Sequence, residues 1–193
     1  MTMYVVGNFY LDIETSGLDA TKDKIITIQF VELERNTGKQ IGELKILKEW
    51  ELGEKEVLRQ FIIQSSITNS YAFSFVSVGY NLGFEHNFLL ERCKVHDLDQ
   101  IDILHKPFLD LRSVGILMNK GEFKGSGLDK ITGKPQNGSM IPQWYTEKKY
   151  SEIENYIKIE ALEFINFHSW LYGELPSLLE KFKTENNLKQ KPL

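Results

Sequence analysis

Cys93 is the only cysteine in the chain. A lone thiol closes no disulfide within the chain and builds no cysteine-based zinc site, so a reducing, cytoplasmic setting is expected. Long apolar runs are missing too. No segment approaches the roughly 20 residues that a membrane-spanning helix needs, and no membrane role is expected. Residues 1–10 lack the basic start and unbroken apolar stretch of a signal peptide, and they read as a first strand. Positive charge is also scarce: 23 Lys and Arg face 27 Asp and Glu, a net charge of −4. A protein that grips phosphate with side chains alone is usually basic. The balance weighs against a passive nucleic-acid binder, but not against an enzyme that neutralises phosphate with bound cations. The four histidines, His86, His96, His105 and His168, show no zinc-ligand spacing. No Ser-His-Asp or Cys-His arrangement is visible.

What is present suits one domain with a small appendage: 193 residues, 41% hydrophobic and 26% charged. Residues 4–13, 25–34 and 40–49 alternate as strands, with a turn signal at Asn36-Thr37-Gly38-Lys39. Short links between them suggest an antiparallel meander. A helical pattern covers 54–67, with Val57, Leu58, Phe61 and Ile62 on one side. Residues 73–79 are almost wholly apolar, as in a strand buried on both faces, and 83–93 read as a helix. Another short strand at 108–111 precedes a helix through Met118. Residues 119–142 are rich in Gly, Lys, Ser and Pro and read mostly as loop around one short helical turn. The clearest helix is 151–172, with Ser151 as cap, Glu154 at the capping-box position, and an apolar stripe from Ile153 to Leu171. Gly173 is expected to end it, and 176–186 to form a last helix before a frayed tail at 189–193. The expected division is therefore a domain at 1–175 and a C-terminal helix and tail at 176–193. Three strands followed by strands alternating with helices indicate an α/β fold with a mixed sheet.

Three carboxylate-bearing segments carry the chemistry. Asp12 and Glu14 stand two apart at the end of the first strand, so both point to one face. Two adjacent carboxylates repel and lose hydration there. A hard divalent cation would offset both costs, because Mg²⁺ and Mn²⁺ prefer oxygen ligands. The bland alternative is a solvated strand end. Thr15-Ser16-Gly17-Leu18 follows as a tight turn whose amides and one apolar side chain can meet a substrate end. Asn81 to Glu85 opens a helix after the buried strand, where an acid in the first turn is also simply favourable. Tyr156 and Glu160 lie at i and i+4 on the clearest helix, hence on one face.

The segment Tyr10-Leu11-Asp12-Ile13-Glu14-Thr15-Ser16-Gly17-Leu18 resembles the first motif of the DEDD 3′–5′ exonucleases of the ribonuclease H-like superfamily. Val78-Gly79-Tyr80-Asn81-Leu82-Gly83-Phe84-Glu85 is similar to the second motif. Tyr156-Ile157-Lys158-Ile159-Glu160 resembles the third in its tyrosine form. The resemblance implies a ribonuclease H-like sheet, with three antiparallel strands and then parallel strands, flanked by helices. It implies two divalent cations, Mg²⁺ or Mn²⁺, held by Asp12, Glu14, Glu85 and Glu160, with Tyr156 orienting the attacking water. Thr15, Leu18 and Asn81 would contact the terminal nucleotide. Asp110 falls where the family often has an aspartate outside the metal set, and a structural or supporting role is expected for it. The implied activity is hydrolysis of phosphodiester bonds at single-stranded DNA or RNA 3′ ends, with association to a polymerase or repair complex.

The family usually has aspartate where this chain has Glu85 and Glu160. The added methylenes matter to a cation that demands near-ideal octahedral geometry. The alternative is a catalytically impaired domain that binds nucleic acid or serves assembly. A third reading is a nuclease of the same superfamily that cuts internally. Lys120, Lys124, Lys130 and Lys134, with Trp144-Tyr145 behind them, can grip a single strand. They can equally be a solvated loop over a buried tryptophan.

Overall fold

The computed structural model describes residues 7–133 and 138–186. Lys134, the start of the expected first strand and the expected tail lie outside the described residues. Strands β1 (Asn8–Thr15), β2 (Ile25–Leu33) and β3 (Gln40–Lys48) form the expected meander. The sheet is completed by β4 (Val76–Gly79) and β5 (Phe108–Asp110), in the order β3-β2-β1-β4-β5. The β1–β2 and β2–β3 pairs are antiparallel, and β1–β4 and β4–β5 are parallel. This is a mixed α/β sheet flanked by helices.

Strand alternation sorts the two faces. Leu11, Ile13, Ile28 and Phe30 pack with Val57, Leu58 and Phe61 of α2 (Glu54–Ser65) and Phe88 and Leu89 of α3 (Leu82–Val95). Tyr10, Val31, Leu33 and Val78 pack with Ala161, Phe164 and Leu171 of the last helix. Asp12 and Glu14 share the parity of Tyr10, so they look toward that helix. Burial of this kind is worth about 1.5–3 kcal/mol per large side chain.

Three stretches depart from expectation. Helix α1 (Glu49–Leu52) begins as β3 ends. The Gly- and Lys-rich stretch after α4 (Arg112–Met118) holds α5 (Leu128–Thr132), a 3-10 turn at Gly138–Met140 and α6 (Ile141–Thr146). The last helix, α7, runs unbroken from Tyr150 to Glu185 through Gly173 and Pro176. A Cβ at Gly173 would meet nothing, so no packing demands a turn there. Pairs such as Lys183–Glu180, at 2.7 Å, accompany the extra turns. Nor is Ser151 the cap: Lys149 takes that place, and the Ser151 hydroxyl donates to Glu152.

The β2–β3 turn is locked onto α7. His168 Nδ1 lies 3.0 Å from the Gly38 carbonyl, and Ser169 Oγ donates to the Thr37 carbonyl. Gly38 has φ +66°, and a Cβ there would lie 2.8 Å from the His168 ring. Only glycine satisfies both conditions. His168 is thus the packed core residue its position suggests, and burial pushes its pKa down.

Candidate active site

Register decides what surrounds the acids. Asp12 sits opposite Gln29, and the fully buried Gln29 amide donates to Asp12 Oδ2 at 2.7 Å. Tyr10, two residues earlier on the same face, donates to the same oxygen at 3.3 Å. Glu160 comes in from α7. One carboxylate oxygen from each of Asp12, Glu14 and Glu160 falls within 4.8 Å of the others.

Glu85, in the first turn of α3, stands apart from that trio. It is buried, and its Oε2 has no hydrogen-bond partner among the described residues. Burial and then the Asp12 charge hold its carboxyl well above the usual range. An orphaned carboxylate oxygen beside an all-oxygen trio suits a hard divalent cation. Helix α3 is started from outside: Asn81 adopts φ +73° and makes no side-chain cap. The Asp110 carboxylate accepts instead from the backbone N–H groups of Asn81 (2.8 Å), Leu82 (2.9 Å) and Arg112 (2.9 Å). Asp110 therefore fixes two helix starts and, through α3, the place of Glu85.

Tyr156 is buried at the trio. Burial first, then the Glu160 and Glu14 charges, push its hydroxyl far above the ordinary tyrosine value. Burial first, then the Asp12 and Glu160 charges, raise Tyr10 well above its ordinary value. Both phenols stay protonated and can donate to an oxyanion or a water. A Cβ added to Gly138 would lie 3.3 Å from the Tyr156 hydroxyl and 3.6 Å from Glu14 Oε2. The 3-10 turn thus closes down on the acids. A pocket of about 180 Å³ opens among Asp12, Asn81, Arg112, Tyr156 and Glu160.

Of the expected substrate contacts, Asn81 lines this pocket. The Thr15 hydroxyl donates to the Gly17 carbonyl at 2.5 Å, bracing the turn after β1. Leu18 projects from that turn and is 86% exposed. Trp144 packs edge-on against Tyr156, and the Tyr145 hydroxyl donates to Glu49. Trp144 thus braces Tyr156, while Tyr145 is engaged with Glu49. Lys120 and Lys124 are exposed, and Lys130 lies 3.4 Å from Asp129. The sequence reading missed Tyr10, Gln29, Arg112 and Gly138. Alternation alone places Tyr10 with Asp12, whereas the other three depend on strand register and loop path.

Residues 9–163 match the family model described as RNase H superfamily. No curated protein matches the chain. Among solved structures, the zinc-bound E. coli exonuclease I–ssDNA complex is 14% identical with a TM-score of 0.58, covering 93% of this chain and 43% of that one. E. coli exonuclease I with a dT13 oligonucleotide is 15% identical with a TM-score of 0.53, covering 92% and 43%. The ExoI/SSB-Ct complex is 15% identical with a TM-score of 0.56, covering 93% and 43%. At these identities the likeness is one of fold. The chain spans less than half the length of the chains it resembles.

Proposed function

The chain belongs to the RNase H superfamily, and we propose that it is a metal-dependent 3′–5′ exonuclease acting on single-stranded nucleic-acid ends. One observation carries the reading: carboxylates from β1 and α7 offer three oxygens within 4.8 Å of one another, the spacing of a cation's ligand set. Folding such a group costs stability, and a ligand that neutralises it restores the balance.

Asp12, Glu14 and Glu160 would hold divalent cations, with Glu85 reaching in from behind Asp12. Two cations, Mg²⁺ or Mn²⁺, would supply an activated water and offset charge on the phosphate. The chain's own groups do the rest. Gln29 and Tyr10 fix Asp12 by donating to Oδ2. Tyr156, kept protonated, orients the attacking water. The turn at Gly138 narrows the pocket above it. Thr15, Leu18 and Asn81 would frame the terminal nucleotide, leaving the scissile phosphate over the acids. Association with a polymerase or repair complex, a cytoplasmic setting, and the treatment of 176–193 as an appendage belong to the same proposal.

A second reading, a binding or assembly subunit without turnover, draws on the place of Glu85 outside the carboxylate trio. The test is degradation of 5′-labelled single-stranded DNA and RNA with Mg²⁺ or Mn²⁺. A ladder shortening from the 3′ end is expected, with a loss of at least about a thousandfold in Asp12→Ala. Oligomeric cuts would favour an internal nuclease. Intact substrates with folded protein would favour the second reading.

A further inference from the structure

Beside the acid-lined pocket lies a second groove of about 330 Å³, bordered by Asn81, Asp110, Arg112, Ile116 and Phe123. That volume falls within the range of small-ligand pockets. Arg112 and Asn81 border both spaces and form the ridge between them. Arg59 and Arg92 each hold a glutamate. Arg112 makes no ion pair among the described residues and keeps a bidentate donor beside a nest of acids.

Phe123 lines the same groove as this arginine and is 69% exposed. An exposed aromatic on a wandering loop would mean little, but this loop is clamped. The Phe123 carbonyl accepts from the Ser126 N–H at 3.2 Å and the Ser126 hydroxyl at 2.8 Å. The Asn119 amide donates to the carbonyls on either side, Glu122 at 2.8 Å and Lys124 at 3.0 Å. Ser126 is fully buried, and its own carbonyl accepts from the Tyr80 hydroxyl. The ring is thus held out to solvent by a built support.

We propose that Arg112 and Phe123 form a second nucleotide subsite for single-stranded nucleic acid, one step from the acid cluster. Arg112 grips a backbone phosphate at the ridge, and Phe123 stacks on the adjoining base. A guanidinium fits phosphate bidentately, and stacking on an aromatic is sequence-tolerant. The grip thus uses a different cation and a different ring from the lysines and Trp144, for which the sequence left a solvated loop equally open. The subsite rests on the nuclease reading above.

The test measures binding and turnover separately, with 5′-fluorescein decathymidylate. Anisotropy in Ca²⁺ reads affinity, and degradation in Mn²⁺ reads kcat and KM. Arg112→Ala and Phe123→Ala are each expected to weaken binding about tenfold. Both should raise KM more than they lower kcat. Arg112→Ala should also reduce the slope of log affinity against log salt by about one, and Phe123→Ala should leave it unchanged. Phe123→Trp should restore affinity. Both side chains are off the core, so unchanged melting temperatures are expected. Wild-type turnover with both alanine variants within twofold in KM and affinity overturns the subsite and leaves the nuclease standing. Binding that depends on both residues, without degradation by the wild type, keeps the subsite and removes the nuclease. Wild-type protein that neither binds nor degrades overturns both.

Discussion

The molecule handles buried carboxylates in two opposite ways. Glu54, at the start of α2, is surrounded by donors: the Ile25 N–H and Arg92 Nε lie 2.8 Å from Oε1, while Arg92 Nη2 at 2.7 Å and His96 Nε2 at 2.8 Å meet Oε2. Burial raises its pKa, but Arg92, His96 and the Ile25 N–H outweigh burial and leave it lowered. Glu85, two turns before Arg92 on α3, is equally buried, has an oxygen unpartnered among the described residues, and feels the Asp12 charge. Its pKa is raised. One carboxylate ties α2, β2 and α3 together. The other is held charged only at a cost, and such costs cluster where a ligand relieves them.

Breaking the satisfied site has the largest expected effect on stability. Glu54→Gln leaves Arg92 buried without its counter-charge, and a loss of about 3–5 kcal/mol is expected from denaturant unfolding. Oligonucleotide turnover per folded molecule should not change. The pH sign follows from the lowered pKa. The stabilisation is fully present above the unfolded value of about 4.3 and disappears as pH falls toward the folded value. The difference between wild type and Glu54→Gln should therefore shrink on acidification. A constant difference down to pH 3 would remove the ionised carboxylate as its cause.

Relaxing the strained site should act in the opposite direction. A raised folded pKa means that Glu85 costs stability once pH passes the unfolded value, and nothing below it. Glu85→Gln should raise metal-free stability at neutral pH by about 1 kcal/mol, with no gain in acid. Saturating Mn²⁺ should reverse the order, since the wild type gains about 2.7 kcal/mol at a hundred times its dissociation constant. If Glu85→Gln were as strongly stabilised by Mn²⁺ as the wild type, Glu85 would not be part of the cation site.

The two sites also differ in how far the sequence discloses them. Asp12 and Glu14 are legible from strand alternation, and Tyr156 and Glu160 from helical spacing, because both patterns are local. Tyr10 obeys the same alternation but passes for an apolar core residue. Gln29 meets Asp12 only through the β1–β2 register, and Arg92 reaches Glu54 across 38 residues. Such pairings are set by tertiary packing, which composition does not encode. The meander, α2, α3 and β5 follow their patterns closely. The stretch 119–142 hides three short helical pieces because Gly, Lys and Pro there read as loop. The run past Gly173 continues because nothing in the packing asks the chain to turn.

The smallest expected effect comes from a third kind of carboxylate and tests whether burial is the deciding variable. Glu56 accepts from Arg59 Nε at 2.7 Å and from Gln60 at 2.6 Å. Arg59, then Gln60, lower its pKa to about 2, a deep depression for a carboxylate. Yet it stands in solvent on α2, one turn from Arg59, where water screens the pair and holding long side chains costs entropy. By sign, any stability it supplied would be lost as pH fell toward 2. Glu56→Gln keeps the amide geometry and removes the charge. No resolvable change in melting temperature is expected at neutral pH, in contrast to Glu54→Gln two residues earlier on the same helix. A loss comparable to that of Glu54→Gln would mean that partner geometry, rather than desolvation, sets the worth of a carboxylate in this protein, and the contrast between Glu54 and Glu85 would need a different cause.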